Sequence, residues 1–128
     1  MDHSKHVIII DDDELSVYLY AILLRERFGE MDLEVFGSAE EALDHILGEG
    51  FRCPDLILLD INLPSLDAWD LLRELEDQHV NLADLPLVLL SSHIRPEDWE
   101  HIHRYMLCEA VLIKPLKMDR LLELGIID

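Results

Sequence analysis

Apolar residues along this chain follow two alternating rhythms. Val7-Ile8-Ile9-Ile10, Leu56-Ile57-Leu58-Leu59 and Leu87-Val88-Leu89-Leu90 run without a polar interruption, as expected of strands buried on both faces. Residues 33–36 form a shorter, weaker strand candidate, and Val111-Leu112-Ile113 the last one. Between these runs the spacing turns helical. Leu15, Tyr18, Leu19 and Ile22 predict a first helix ending near Gly29. Ser38 opens a capping box with Glu41, and Ala39, Ala42, Leu43 and Ile46 form the stripe of a second helix closed by Gly48 and Gly50. Ala68, Leu71, Leu72 and Leu75 mark a third. Pro96 suits the first turn of a fourth, which should run to about Met106 with Trp99, Ile102 and Met106 on one face. Leu121 and Leu122 mark a short closing helix.

Five strands alternating with five helices predict an α/β fold. Taken as a single doubly wound (βα)5 domain of the flavodoxin-like type, the five-stranded parallel sheet would have the order 2-1-3-4-5 with helices on both faces. The pattern spans residues 1–128 with no linker, repeat or second domain, so no output domain is expected. In such folds chemistry gathers at the carboxyl ends of the strands, near the switch point in strand order. The polar residues that end the apolar runs should therefore form one site. They are Asp11-Asp12-Asp13, Asp60, Ser91-Ser92 and Lys114-Pro115. With this strand order Asp11, Asp12 and Asp60 share a small acidic pocket.

Half the residues are apolar, which suits a compact core. The longest apolar runs are too short to cross a bilayer, and Met1-Asp2-His3-Ser4-Lys5 lacks the basic and apolar regions of a signal peptide. A soluble, cytoplasmic protein without membrane contact is expected. Twenty-eight acids against 10 bases give a formal charge of −18, which repels nucleic acid phosphates and argues against direct DNA binding. Cys53 and Cys108 fit neither a disulfide framework nor a zinc cluster and read as reduced structural thiols. Seven histidines invite a metal reading, but their spacing does not support one. His101 and His103 project about 200° apart on a helix and read as surface residues.

Three carboxylates in one pocket repel each other unless a cation neutralises them, and Mg²⁺ prefers a few carboxylates together with waters and a phosphate oxygen. Such a cation would leave one carboxylate free to attack phosphorus, with Lys114 pairing with Asp60 at rest and with the phosphoryl oxygens afterwards. The Ser91 hydroxyl can donate to the same oxygens. Taken singly, each residue has a plainer reading: Asp12 or Asp13 as a helix cap, Asp60 as a loop acid, Ser91 as a residue leading into a helix, Lys114 as a solvated cation. Their joint placement at four strand ends is what favours a phosphoryl-transfer site.

These segments, together with Asp55 before the second long run, Ile61-Asn62-Leu63-Pro64 and Leu66-Asp67 after it, Pro86 before the third, and Ile113-Lys114-Pro115, resemble the response-regulator receiver family over essentially the whole chain. The resemblance implies a receiver of a two-component His–Asp phosphorelay. Asp60 would be the phosphoacceptor and Asp12 a direct ligand of Mg²⁺ (or Mn²⁺). Asp11 would act through water, the backbone carbonyl of Asn62 would complete the protein ligands, and Asp60 would itself be a ligand. Ser91 and Ser92 would bind the phosphoryl group and switch with it, Lys114 would match the family lysine, and the Lys114–Pro115 bond would be cis. The implied partners are a sensor histidine kinase or histidine phosphotransfer protein and a downstream protein. The output surface would be the fourth helix, fifth strand and fifth helix.

This chain departs from the family pattern at three places: Ala68 where glycine is usual, Val111 where many receivers carry a switch Tyr or Phe, and a longer stretch at residues 48–54. The implied role is signalling rather than enzymatic, with only self-phosphorylation and autodephosphorylation chemistry. An aspartyl-phosphate phosphatase of the haloacid dehalogenase type would need an acid two residues after the nucleophile, where Asn62 stands. A pseudo-receiver that binds partners without phosphorylation is the remaining alternative.

Overall fold

The computed structural model describes residues 4–64 and 66–128; the signal-peptide reading of residues 1–3 lies outside that range. Five strands, β1 (Lys5–Ile10), β2 (Met31–Phe36), β3 (Leu56–Asp60), β4 (Leu87–Ser91) and β5 (Val111–Ile113), alternate with α1 (Glu14–Phe28), α2 (Ala39–Leu47), α3 (Ala68–Asp77), α4 (Pro96–Arg104) and α5 (Met118–Glu123). All neighbouring strands pair in parallel, in the order β2-β1-β3-β4-β5. This is the predicted doubly wound sheet.

The alternation of side chains along each strand divides the core in two. Ile8, Ile10, Ile57, Leu59, Leu87 and Leu89 face α2, α3 and α4. Val7, Ile9, Leu56, Leu58, Val88 and Leu90 face α1 and α5. Every residue of β3 and β4 is buried, which is why these strands read as unbroken apolar runs. Among the described residues no helix is long and apolar enough to cross a membrane.

Helix ends follow local chemistry. The Asp13 carboxylate accepts from the Leu15 N–H and caps α1, the Ser38 hydroxyl accepts from the Glu41 N–H and caps α2, and Asp67 and Asp70 form a reciprocal capping box on α3. The α2 and α3 stripes lie on the core as expected, with Leu43 partly buried. Strand β2 starts two residues before the expected 33–36, because its ladder with β1 already pairs Met31 with Lys5.

Two expectations are corrected. In α1 the predicted stripe faces water: Leu15 is 66 % exposed, Tyr18 64 %, Leu19 47 % and Ile22 39 %. The core side is instead Val17, Tyr20, Ala21, Leu24 and Phe28. Residues 17–24 are apolar without a break, so the sequence contains two stripes of helical spacing and no polar residue to choose between them. The choice is made by packing: Tyr20 and Leu24 meet Val7, Ile9, Leu58 and Val88 on the sheet, and this fixes which side of the helix is covered. In α4 only Ile102 is buried among the expected face; Trp99 is 41 % and Met106 89 % exposed. The helix ends at Arg104, and Met106 turns into the left-handed region at φ 59°, so it is off the helical register.

The reversed α1 face gives a direct test. Leu24→Ala should cost about 2–4 kcal/mol in urea denaturation and Leu19→Ala less than about 1 kcal/mol; equal losses would restore the other stripe.

Candidate phosphoacceptor site

Strand β1 ends at Ile10 and β3 at Asp60, and the two strands are hydrogen-bonded neighbours with Ile10 opposite Leu59. The chain past β1 therefore delivers Asp11 and Asp12 next to Asp60. Potential ligand oxygens of Asp11, Asp12 and Asp60 lie within 4.8 Å of one another. Asp11 and Asp60 are almost sealed from water, and Asp12 is exposed. Asp11 Oδ1 accepts from the Asp13 N–H at 2.9 Å, and Asp60 Oδ1 accepts from the Asn62 N–H at 2.9 Å.

Lys114 follows β5 and reaches back across the sheet edge. Its Nζ lies 3.1 Å from Asp11 Oδ2 and 3.3 Å from Asp60 Oδ2. The following bond to Pro115 is cis. Burial works against the lysine's charge, but Asp60 and Asp11 outweigh it, so the ammonium holds its proton more tightly than an ordinary lysine. Burial likewise pushes the Asp11 carboxyl above the usual carboxylate range. The Asp13 N–H pulls the other way, the charge on Asp60 adds to the rise, and Lys114 offsets it only in part. One cation against three acids leaves uncompensated negative charge. An all-oxygen donor set of this kind fits a hard divalent cation such as Mg²⁺ or Mn²⁺.

Ser91 ends β4 and is fully buried. Its hydroxyl lies 2.8 Å from Asn62 Oδ1 and 2.6 Å from the His93 carbonyl and accepts from the His93 N–H at 3.0 Å. A single hydroxyl hydrogen faces two acceptors, so Ser91 is tied to the loops after β3 and β4. Ser92 is exposed. Val111 pairs with Leu89 and packs against the core beneath α3 and α4. Asp13 is engaged as a cap and by the Ser16 hydroxyl, which with the Leu15 N–H holds its carboxyl below the usual range. It stands apart from the pocket's ligand cluster.

Two features were not legible in the sequence. Tyr20 is buried with its hydroxyl unpartnered among the described residues, close enough to feel the charges on Lys114 and Asp11; burial raises its pKa. It sits inside the unbroken apolar run of α1, which hid its facing. Asp98 is a fully buried acid in α4. It accepts from Trp69 Nε1 at 3.0 Å and from the backbone and guanidinium of Arg95 at 2.9–3.2 Å, which ties α3 to α4. Only the Arg95-x-x-Asp98 spacing hinted at it. His101, read as a surface residue, is partly buried and stacks on Trp69 with ring centroids 5.1 Å apart. Cys53 and Cys108 are both free and exposed rather than packed.

Asp98 should carry measurable stability. Asp98→Ala leaves the buried Trp69 N–H unpartnered and should cost about 2–3 kcal/mol. Burial alone would raise the Asp98 carboxyl, but hydrogen bonds from Arg95 and Trp69 outweigh it and hold its pKa below the ordinary value. Its contribution is thus present above the unfolded-state value and is lost as pH falls through the folded-state one. Stability curves of wild type and Asp98→Asn measured against pH should converge in acid; parallel curves would contradict this.

Comparison with known proteins places the arrangement in context. The response regulator receiver domain family matches residues 7–124. The polar-differentiation response regulator DivK of Brucella ovis is 33 % identical over 120 residues, covering 94 % of this chain and 92 % of that protein. DivK of Brucella anthropi is 34 % identical over 119 residues, covering 93 % and 91 %. A two-component response regulator from Legionella pneumophila superposes with a TM-score of 0.79 at 25 % identity, covering 95 % of each chain. A response regulator receiver protein from Dyadobacter fermentans gives 0.75 at 27 %, covering 93 % of each.

Proposed function

This chain belongs to the response-regulator receiver family, and from that membership we propose that Asp60 is its phosphoacceptor, taking a phosphoryl group from the phosphohistidine of a kinase or phosphotransfer protein. The observation that carries this reading is the bridge of Lys114 between the buried Asp11 and Asp60 at the ends of adjacent strands. In the reaction an Asp60 carboxylate oxygen attacks phosphorus as the P–N bond of the phosphohistidine breaks, and the electron pair stays on the imidazole nitrogen, which takes up a proton. Lys114 then pairs with the phosphoryl oxygens in place of the Asp60 oxygen. The Asn62 N–H keeps the other carboxylate oxygen in line. Asp12 and Asp60, with Asp11 through water and the Asn62 carbonyl, would hold Mg²⁺ or Mn²⁺, which when bound neutralises charge on the phosphoryl oxygens. Ser91 turns toward those oxygens only by giving up Asn62 or His93. Ser92, exposed beside it, would add a second hydroxyl for the same oxygens.

A protein donor must cover the surface around Asp60. The exposed Leu15, Tyr18, Leu19 and Ile22 lie on the helix that starts at this edge, and a groove of about 490 Å³ runs from Leu19 and Ile22 to Lys114 and Pro115. We read this apolar strip as the donor's footing. Output passes through contacts with another protein. The intact acids and lysine give a phosphate-independent pseudo-receiver no support.

Incubation with a small phosphodonor and Mg²⁺ should add one hydroxylamine-sensitive acyl phosphate. Asp60→Asn or chelation should abolish it, and labelling of the Asn variant at the wild-type level would remove Asp60 from the role. Asp12→Ala should lose both metal and label. Lys114→Ala should keep the metal and impair the chemistry.

Tyr18→Glu separates docking from chemistry. It should leave labelling by the small donor within about twofold and slow transfer from a phosphorylated protein donor by roughly tenfold or more. Equal slowing of both would place Tyr18 in the chemistry.

A further inference from the structure

Histidine spacing gives no metal site, yet two histidines meet around one carboxylate at the opposite end of the sheet. His6 is the second residue of β1 and is buried; its register partner on β2 is Asp32, and Glu34 follows one pleat further on. His45 reaches in from the last turn of α2. Glu34 Oε1 lies 2.5 Å from His6 Nε2, and Oε2 lies 3.3 Å from His45 Nε2. His6 Nδ1 is buried and has no hydrogen-bond partner among the described residues, so polar contact holds this ring only through Nε2. Donor atoms of His6, Asp32 and Glu34 lie within 4.8 Å of one another, and these residues line a cavity of about 350 Å³ with His45, Gly50 and Arg52.

We propose that His6, Asp32 and Glu34, with His45 beside them, form a site for a transition-metal cation of the Zn²⁺ class, separate from the Asp11–Asp12–Asp60 pocket. The donor set decides the class. Imidazole nitrogen with carboxylate oxygen suits Zn²⁺, whereas Mg²⁺ takes oxygen. The spacing of the donors leaves room for bonds of about 2.0–2.2 Å after small side-chain shifts. His45 or a water takes the fourth position. Arg52 now pairs with Asp32, but its side chain is 68 % exposed, so it gives way easily. Asp55, which accepts from the His6 backbone N–H, adds negative charge nearby. Five residue steps of extended chain, roughly 16 Å, separate His6 from Asp11, so the two sites do not share a ligand. A cation here would tie β1 to β2, and α2 as well where His45 is the fourth ligand.

Calorimetric titration of Zn²⁺ into the full chain in a large excess of Mg²⁺ tests this, with Co²⁺ absorption as a second readout. One Zn²⁺ per chain is expected, and Co²⁺ should give the visible bands of a tetrahedral nitrogen–oxygen site. Both should persist in Asp12→Ala, a change at an exposed residue of the other pocket. Both should weaken by at least about tenfold in Glu34→Gln, whose side chain is partly exposed and outside the core. Absence of Zn²⁺ binding overturns the proposal. So does binding that is lost in Asp12→Ala, or binding that is unchanged in Glu34→Gln.

Discussion

Asp11 and Asp60 lie almost sealed from water at the ends of adjacent strands, and a single ammonium, that of Lys114, reaches both. Buried like charges are costly, and burial raises the Asp11 carboxyl while the charge on Asp60 adds to the rise. The fold tolerates this because β1 and β3 are held side by side by their backbone ladder and β5 brings the lysine to the same edge. The site is thus charged and poised before any ligand arrives. A further positive charge or a phosphoryl group alters a balance that already exists.

The surroundings restrict how a change at that edge can spread. Ser91 is tied to Asn62 and to His93, which couples the loops after β3 and β4. Beyond it, α4 is pinned to α3 by Asp98 between Trp69 and Arg95, with His101 stacked on the same indole. Val111 is β-branched and short, so it has few rotamers and no ring to swing. Movement of α4 therefore has to work against a buried, hydrogen-bonded carboxylate rather than follow an aromatic side chain.

On the opposite side of the sheet, α1 carries apolar residues around most of its circumference. Val17, Tyr20, Ala21, Leu23, Leu24 and Phe28 complete the core, and Leu15, Tyr18, Leu19 and Ile22 stay in water beside the acidic edge. An apolar strip of this kind costs solubility when it stands alone, and the formal charge of −18 offsets that cost.

The sequence by itself determined the three long strands, the order expected of a doubly wound sheet and the polar residues at the strand ends. A parallel strand buried on both faces must be apolar throughout, so Val7 to Ile10, Leu56 to Leu59 and Leu87 to Leu90 announce themselves, and the first polar residue after each falls at the sheet edge. The juxtaposition of Asp11, Asp12, Asp60 and Lys114 follows from that order. Only the tertiary structure decided the face of α1, because residues 17–24 are apolar without a break and periodicity has no phase there. It also decided that Asp98 is buried and that Tyr20 lies near Lys114. His6, Glu34 and His45 come together across separations that no local spacing encodes. Strand register and the packing of α2 on the sheet set those distances, and a contact between residues far apart in the chain exists only once the backbone has closed the loop between them.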